Sequence, residues 1–313
     1  MTFFDDKPPD LPEQDPPEQE SSLPPAAEPH PAEDPDLRLA GDPISYAASA
    51  PPSYTPRPSL PEDLRISWSW AHFCVFIFFA LSSFFLVQSA LILYFAPHRS
   101  MSPKDLEHYL LNKPQFLFGT NILWYAAIFL FLYVTLGVLR DKPFWPSLGW
   151  KKLKSNLSAG NANPWAYFFS GCGLAIFVFV VSSQVHTDDK MPIQEVLKNR
   201  NSAILLMAMA VFVAPLVEET VFRGYLYPLF AKSFGILPGI LLTGVLFGLM
   251  HGSQLGWTWG IVGLLILVGI IFTFARAHTG TVVASFLLHL GYNSMIAVAT
   301  IVGTHGFTQV PTH

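Results

Sequence analysis

The chain is poor in charge. Asp, Glu, Lys and Arg make up 13% of its 313 residues against 51% apolar side chains, whereas a soluble domain carries about a quarter charged residues. That scarcity excludes an ordinary water-soluble globule and points to an integral membrane protein. Cysteine is nearly absent. Cys74 and Cys172 are the only two, and each falls in an apolar stretch where a free thiol behaves as a small hydrophobe. Neither a disulfide framework nor a cysteine metal cluster is available. The N-terminus MTFFDDKPPDLPEQDPPEQE has no basic n-region and no apolar h-region, so it is not expected to be cleaved for export. Acidic side chains also run out along the chain: beyond residue 200 only Glu218 and Glu219 remain.

What is present divides into two unlike parts. Residues 1–65 hold 14 acidic against 4 basic side chains, while the remainder holds 8 against 14. Sixteen of the 27 prolines lie in residues 1–62. Such a segment buries too little apolar surface to offset its ordering entropy, and residues 1–65 read as a disordered, acidic, proline-rich tail. The plainer reading of the tail is a solubilising spacer. The second is a docking segment for a protein partner, through polyproline II in SAPPSYTPRPSLP.

About 20 apolar residues span a bilayer as a helix, and eight stretches come close: 67–97, 118–139, 164–185, 201–217, 218–233, 236–252, 255–275 and 281–303. The expected fold is all-α and polytopic, with about eight transmembrane helices behind a disordered N-terminal tail. Residues 66–163 form its N-terminal helices and loops, and 164–303 its core. Loop 140–163 carries Arg140, Lys142, Lys151, Lys152 and Lys154, against Arg99, Lys104 and Lys113 in loop 97–117. The positive-inside rule puts the former loop, and with it the tail, in the cytoplasm. The segment MPIQEVLKNR (191–200) reads as a short interfacial helix. No inverted repeat of the transporter kind is visible.

Three polar islands interrupt the apolar C-terminal half. In APLVEETVFRG (214–224) Glu219 and Arg223 are i, i+4 neighbours that can pair, whereas Glu218 points about 100° away and needs a partner from elsewhere. A charge at mid-bilayer costs roughly 2.5–3.5 kcal/mol on insertion scales, so this cluster must face protein or a water-filled cavity. The plainer reading is a lock between helices. The second island is FGLMH, ending in His251, and the third is HLGYN, where His289 and Asn293 share a helix face. A lone membrane histidine is more often a helix-to-helix hydrogen bond than a catalyst, and His278, His305 and His313 are read that way or as loop residues. Glu218, His251, His289 and Asn293 together are hard to satisfy in separate apolar helices unless they converge.

APLVEETVFRG, FGLMHG and TGTVVASFLLHLGYN resemble the ordered motifs EExxxR, FxxxH and HxxxN of the CPBP family of intramembrane proteases, also called the CAAX prenyl protease 2, Rce1-like or Abi family. The resemblance covers roughly residues 164–303. It implies Glu218 and His251 as the pair that activates water, His289 and Asn293 as oxyanion stabilisers, and Glu219 with Arg223 as support for the site. The substrates it implies are membrane-associated peptides or proteins, prenylated CAAX-type C-termini among them. The implied setting is a lipid bilayer, taken as a bacterial cytoplasmic membrane with the N-terminus in the cytoplasm. The long tail has no counterpart in the family core.

The chemistry agrees with that resemblance. Peptide hydrolysis needs a nucleophilic water, a base to take its proton and donors aimed at the developing oxyanion, and it requires no serine or cysteine nucleophile. Zinc on His251, His289 and Glu218 is the alternative, but HExxH is absent, and no cofactor is required by the reading. The expected activity is an intramembrane endopeptidase whose site opens between helices near the cytoplasmic side, with no nucleic-acid partner. The rivals are a proton-coupled transporter using Glu218, His251 and His289 as a relay, and a catalytically silent scaffold or immunity-type protein. A relay needs titratable groups at successive depths, and Asn293 does not titrate.

Overall fold

With no water to satisfy them, backbone N–H and C=O groups in a bilayer must be paired within the segment that carries them, so a chain this apolar folds as helices. The computed structural model describes residues 61–96, 101–111, 113–153, 163–184, 197 and 199–307, and among them there is no strand. The helices are α1 (Trp70–Phe95), α2 (Pro103–Leu111), α3 (Pro114–Arg140), α4 (Phe144–Ser147), α5 (Pro164–Ser182), α6 (Arg200–Phe234), α7 (Ile236–Met250), α8 (Trp259–Thr279) and α9 (Val282–Gly303). Six of them, α1, α3, α5, α6, α8 and α9, are long and apolar enough to cross a membrane, and α7 is a shorter apolar helix. The chain is an integral membrane protein with an all-α fold.

The stretches 201–217 and 218–233 are one continuous helix, not two. Pro215 lacks the N–H that would bond back one turn, and α6 absorbs it by widening to π register over Met209–Val213. A second π stretch covers Thr220–Leu226, directly after Glu219. Wide turns of this kind are uncommon and concentrate at functional positions. The expected interfacial helix at 191–200 lies almost wholly outside the described residues.

Packing around α6 sets the frame for the site. Phe222, Tyr225, Leu226, Leu229 and Phe230 of α6 form one buried cluster with Phe76 of α1, Ile128, Leu132 and Leu136 of α3, and Leu148. A second cluster joins Ala175 and Val178 of α5 to Val268 and Phe272 of α8 and to Leu288 and Tyr292 of α9. Small residues let these backbones approach, as expected between membrane helices. Gly244 and Gly248 of α7 seat against Ile270 and Ile266 of α8. Gly171 of α5 lies on the carbonyl of Leu288, and Gly291 of α9 lies on that of Phe168.

At one end of the bundle the segment after α3 folds back against the core. Leu148 is fully buried, Trp150 donates to Thr220 Oγ1 at 3.1 Å, and the Gly149 carbonyl accepts from Val282 N–H at 2.9 Å. Residues 61–65, which composition alone assigns to the tail, are part of this end. Glu62–Leu64 form a single 3₁₀ turn with Leu64 buried, and Asp63 accepts from Arg276 Nη1 at 2.9 Å.

Candidate active site

Helix α6 carries both glutamates into the bundle, and the 100° step between adjacent helical residues sends them to different surroundings. Glu219 is completely buried. Its Oε1 accepts from Arg223 Nη1 at 2.9 Å and from His289 Nδ1 at 2.9 Å. The Arg223 guanidinium is held on all sides: Nε donates to Thr273 Oγ1 at 3.2 Å, Nη2 to the Gly269 carbonyl at 2.9 Å, and its carbon stands 4.4 Å from the centre of the Phe247 ring. Each contact offsets part of the cost of a buried ion, which is tolerable only when paired and hydrogen-bonded.

Glu218 faces the other way, and its side chain keeps 17% of its surface exposed where Glu219 keeps none. Its two oxygens meet histidines from two other segments. Oε1 is 4.0 Å from His251 Nε2 at the end of α7, and Oε2 is 3.7 Å from His289 Nε2 on α9. The far nitrogens are already committed. His251 Nδ1 donates to the Phe247 carbonyl at 2.8 Å, and His289 Nδ1 donates to Glu219. With Nδ1 protonated, the neutral ring presents an acceptor Nε2 toward Glu218. The order of groups is therefore Arg223, Glu219, His289, Glu218, His251, with the last three too far apart for direct hydrogen bonds and close enough for a water on the cavity side to bridge neighbours.

These groups stand in the wall of a cavity of about 600 Å³. Most of its lining is apolar, including Leu117, Leu205, Met209, Leu265 and Phe272. Asn293 also lines it, with Nδ2 donating to the Ala210 carbonyl at 2.7 Å. All four residues singled out by the motifs, Glu218, His251, His289 and Asn293, thus border one cavity. Glu219 and Arg223 lie behind it. Asn121 and Tyr125 of α3 and Ser202 of α6 border it as well. Sequence reasoning missed them, and the one available signal was a polar side chain within an apolar helix. Among the described residues no group of three or more His, Cys, Asp or Glu side chains is arranged to hold a metal ion. His278 stacks on Phe274 in the last turn of α8, and His313 lies outside the described residues.

The cavity reaches from Glu218 and His289 to Pro114, Ser182, Ser202 and Gln254, that is, to the first residue of α3, the last of α5 and the first turn of α6. Arg140 and the basic segment after it sit at the opposite end of α3, whose 27 residues rise about 40 Å. Two expectations therefore exclude each other. If the basic loop 140–163 is cytoplasmic, the site does not open toward the cytoplasm. Charge counting orients loops but carries no information on which helix ends border a cavity.

Neither a curated protein nor a solved structure matches the chain. Residues 200–295 match the Rce1-like family, described as type II CAAX prenyl endopeptidase Rce1-like. The matched segment starts with α6 and runs through Asn293, so it contains every residue of the polar relay just described. Over that segment the chain is similar to the Rce1-like, or CPBP, family of membrane-embedded proteases.

Proposed function

We propose that this protein hydrolyses a peptide bond of a membrane-associated substrate with Glu218 as the base. The observation that carries the reading is the placement of one partly exposed carboxylate between two histidine Nε2 atoms, 4.0 and 3.7 Å away, in the wall of an apolar cavity. A water held between Glu218 and His251 gives up its proton to Glu218 as it attacks the carbonyl carbon. The proton then passes to the leaving amine. His289, whose ring Glu219 holds in place, and the second N–H of Asn293 face the developing oxyanion as its stabilisers. Glu219 and Arg223 act one step back, since they fix the ring plane of His289 and neutralise each other. The apolar lining suits a lipidated or strongly apolar segment, and a prenylated CAAX-type C-terminus is the substrate proposed first.

Purified protein in liposomes, given prenylated and unprenylated versions of one membrane-anchored reporter, tests this by product mass. Cleavage that survives Glu218→Gln, or its absence with both reporters, would sink it. The direction of the cavity is tested separately, in a variant lacking Cys74 and Cys172. An impermeant thiol reagent should label Gln254→Cys and Lys152→Cys from opposite faces of the membrane. Labelling from one face would show that the cavity does not open at the end described.

A further inference from the structure

We infer that Asn293 is a positioning residue that holds the irregular turn of α6 about two turns ahead of Glu218, a role additional to any contact with substrate and resting on the protease reading above. The argument begins with the accounting of backbone bonds. In π register each carbonyl accepts from the N–H five residues on. The N–H of Ala214 bonds to the Met209 carbonyl in that way. The next carbonyl, Ala210, would need the N–H of residue 215, and residue 215 is proline, which has none. An unpaired carbonyl inside an apolar bundle is costly. Asn293 supplies the missing donor: its Nδ2 lies 2.7 Å from Ala210 O, across 83 residues of sequence.

Pro215 and Asn293 thus form a complementary pair, a removed donor and a replacement. Glu218 is three residues past Pro215, and His289 is one helical turn before Asn293. The hydrogen bond ties the π turn that leads into the segment bearing Glu218 to the helix bearing His289, and so helps to hold the two side chains 3.7 Å apart. An asparagine with two N–H groups can spend one on Ala210 and keep the other for the cavity.

The test is a double-mutant cycle on Pro215→Ala and Asn293→Ala, which share this bond and should couple. Asn293→Ala alone should lower Tm and amide protection over residues 210–219, and lower kcat about 10²–10³-fold with KM little changed. Alanine at 215 restores the donor that Ala210 lacks. In the Pro215→Ala background the Asn293→Ala loss of Tm and of protection should therefore shrink to less than about half, while the kcat loss owed to the oxyanion donor stays. Additive losses of Tm, or amide protection over residues 210–219 that does not recover in the double variant, overturn the inference. If the unsubstituted protein cleaves nothing, the protease reading fails, and Tm with amide exchange still decide whether the tie between α6 and α9 exists.

Discussion

Among the described residues two arginines are buried, and they are held in opposite ways. Arg223 is caged at mid-bundle by Glu219, Thr273, Gly269 and the Phe247 ring, and its carboxylate partner comes from one turn earlier in the same helix. Arg276 lies in the last turn of α8 and meets Asp63 across 213 residues of sequence. That aspartate keeps 20% of its side chain exposed, and Arg276 Nε has no hydrogen-bond partner. The contrast teaches where each cation can afford its position. A guanidinium deep in an apolar bundle needs every donor satisfied, whereas one at a helix C-terminus gains from the helix dipole and tolerates a half-solvated partner. The first arrangement holds a reactive site in shape, and the second fastens a chain segment to the end of the bundle.

Breaking the caged pair should have the largest effect. Glu219→Gln leaves Arg223 without its counter-charge, a loss of about 3–5 kcal/mol for a buried pair. Folded membrane yield and Tm should fall together with activity, as size-exclusion profiles and thermal melts will show. Glu218→Gln sharpens the comparison, because this neighbour belongs to no such cage. Its yield and melting curve should match the unsubstituted protein while reporter cleavage is lost. A Tm loss equal to that of Glu219→Gln would mean that both glutamates are structural.

Smaller effects are expected at the other arginine. Asp63→Asn removes a charge-assisted hydrogen bond that is partly solvated, with a cost of about 1–3 kcal/mol. It should lower Tm modestly, more at low salt than at high salt, and leave kcat unchanged, since neither Arg276 nor its side-chain neighbours Asp63 and Tyr227 line the cavity. Removal of residues 1–60 keeps Asp63 and should change neither Tm nor cleavage. A drop in either would show that the proline-rich tail contributes to the folded enzyme.

The two arginines also mark what a sequence can disclose. Glu219 with Arg223, and His289 with Asn293, are separated by one helical turn, so a spacing of four residues exposes them. The convergence of Glu218, His251 and His289 follows from the cost of polar groups in apolar helices, and the four motif residues do border one cavity. Asp63 with Arg276 has no local signature, because the contact depends on how the helices are ordered in space. The same holds for Asn121 and Tyr125 of α3 in the cavity wall, and for Asn293 on the Ala210 carbonyl. Pro215 read as a boundary between spans because proline interrupts the regular α ladder, yet a change of register carries α6 through it. The side on which the cavity opens was hidden for a similar reason: hydropathy locates the spans and basic residues orient the loops, but neither reports which helix ends part.

Helix α7 bears on a requirement of the chemistry. Its 15 residues rise about 22 Å, roughly 8 Å less than the hydrocarbon thickness of an ordinary bilayer. The helix ends at Met250, and the turn after it carries His251, Ser253 and Gln254, of which His251 and Gln254 line the cavity. Polar backbone at that depth is stable only beside water or protein. A short span here would admit water to the cavity wall, as the proposed hydrolysis requires, and a span of normal length would close that route. Lengthening α7 by one turn ahead of Gly244 should dry the site, and a polarity-sensitive probe at Ser253→Cys would read that as a blue-shifted emission. An unchanged spectrum would mean that water reaches Glu218 by another route.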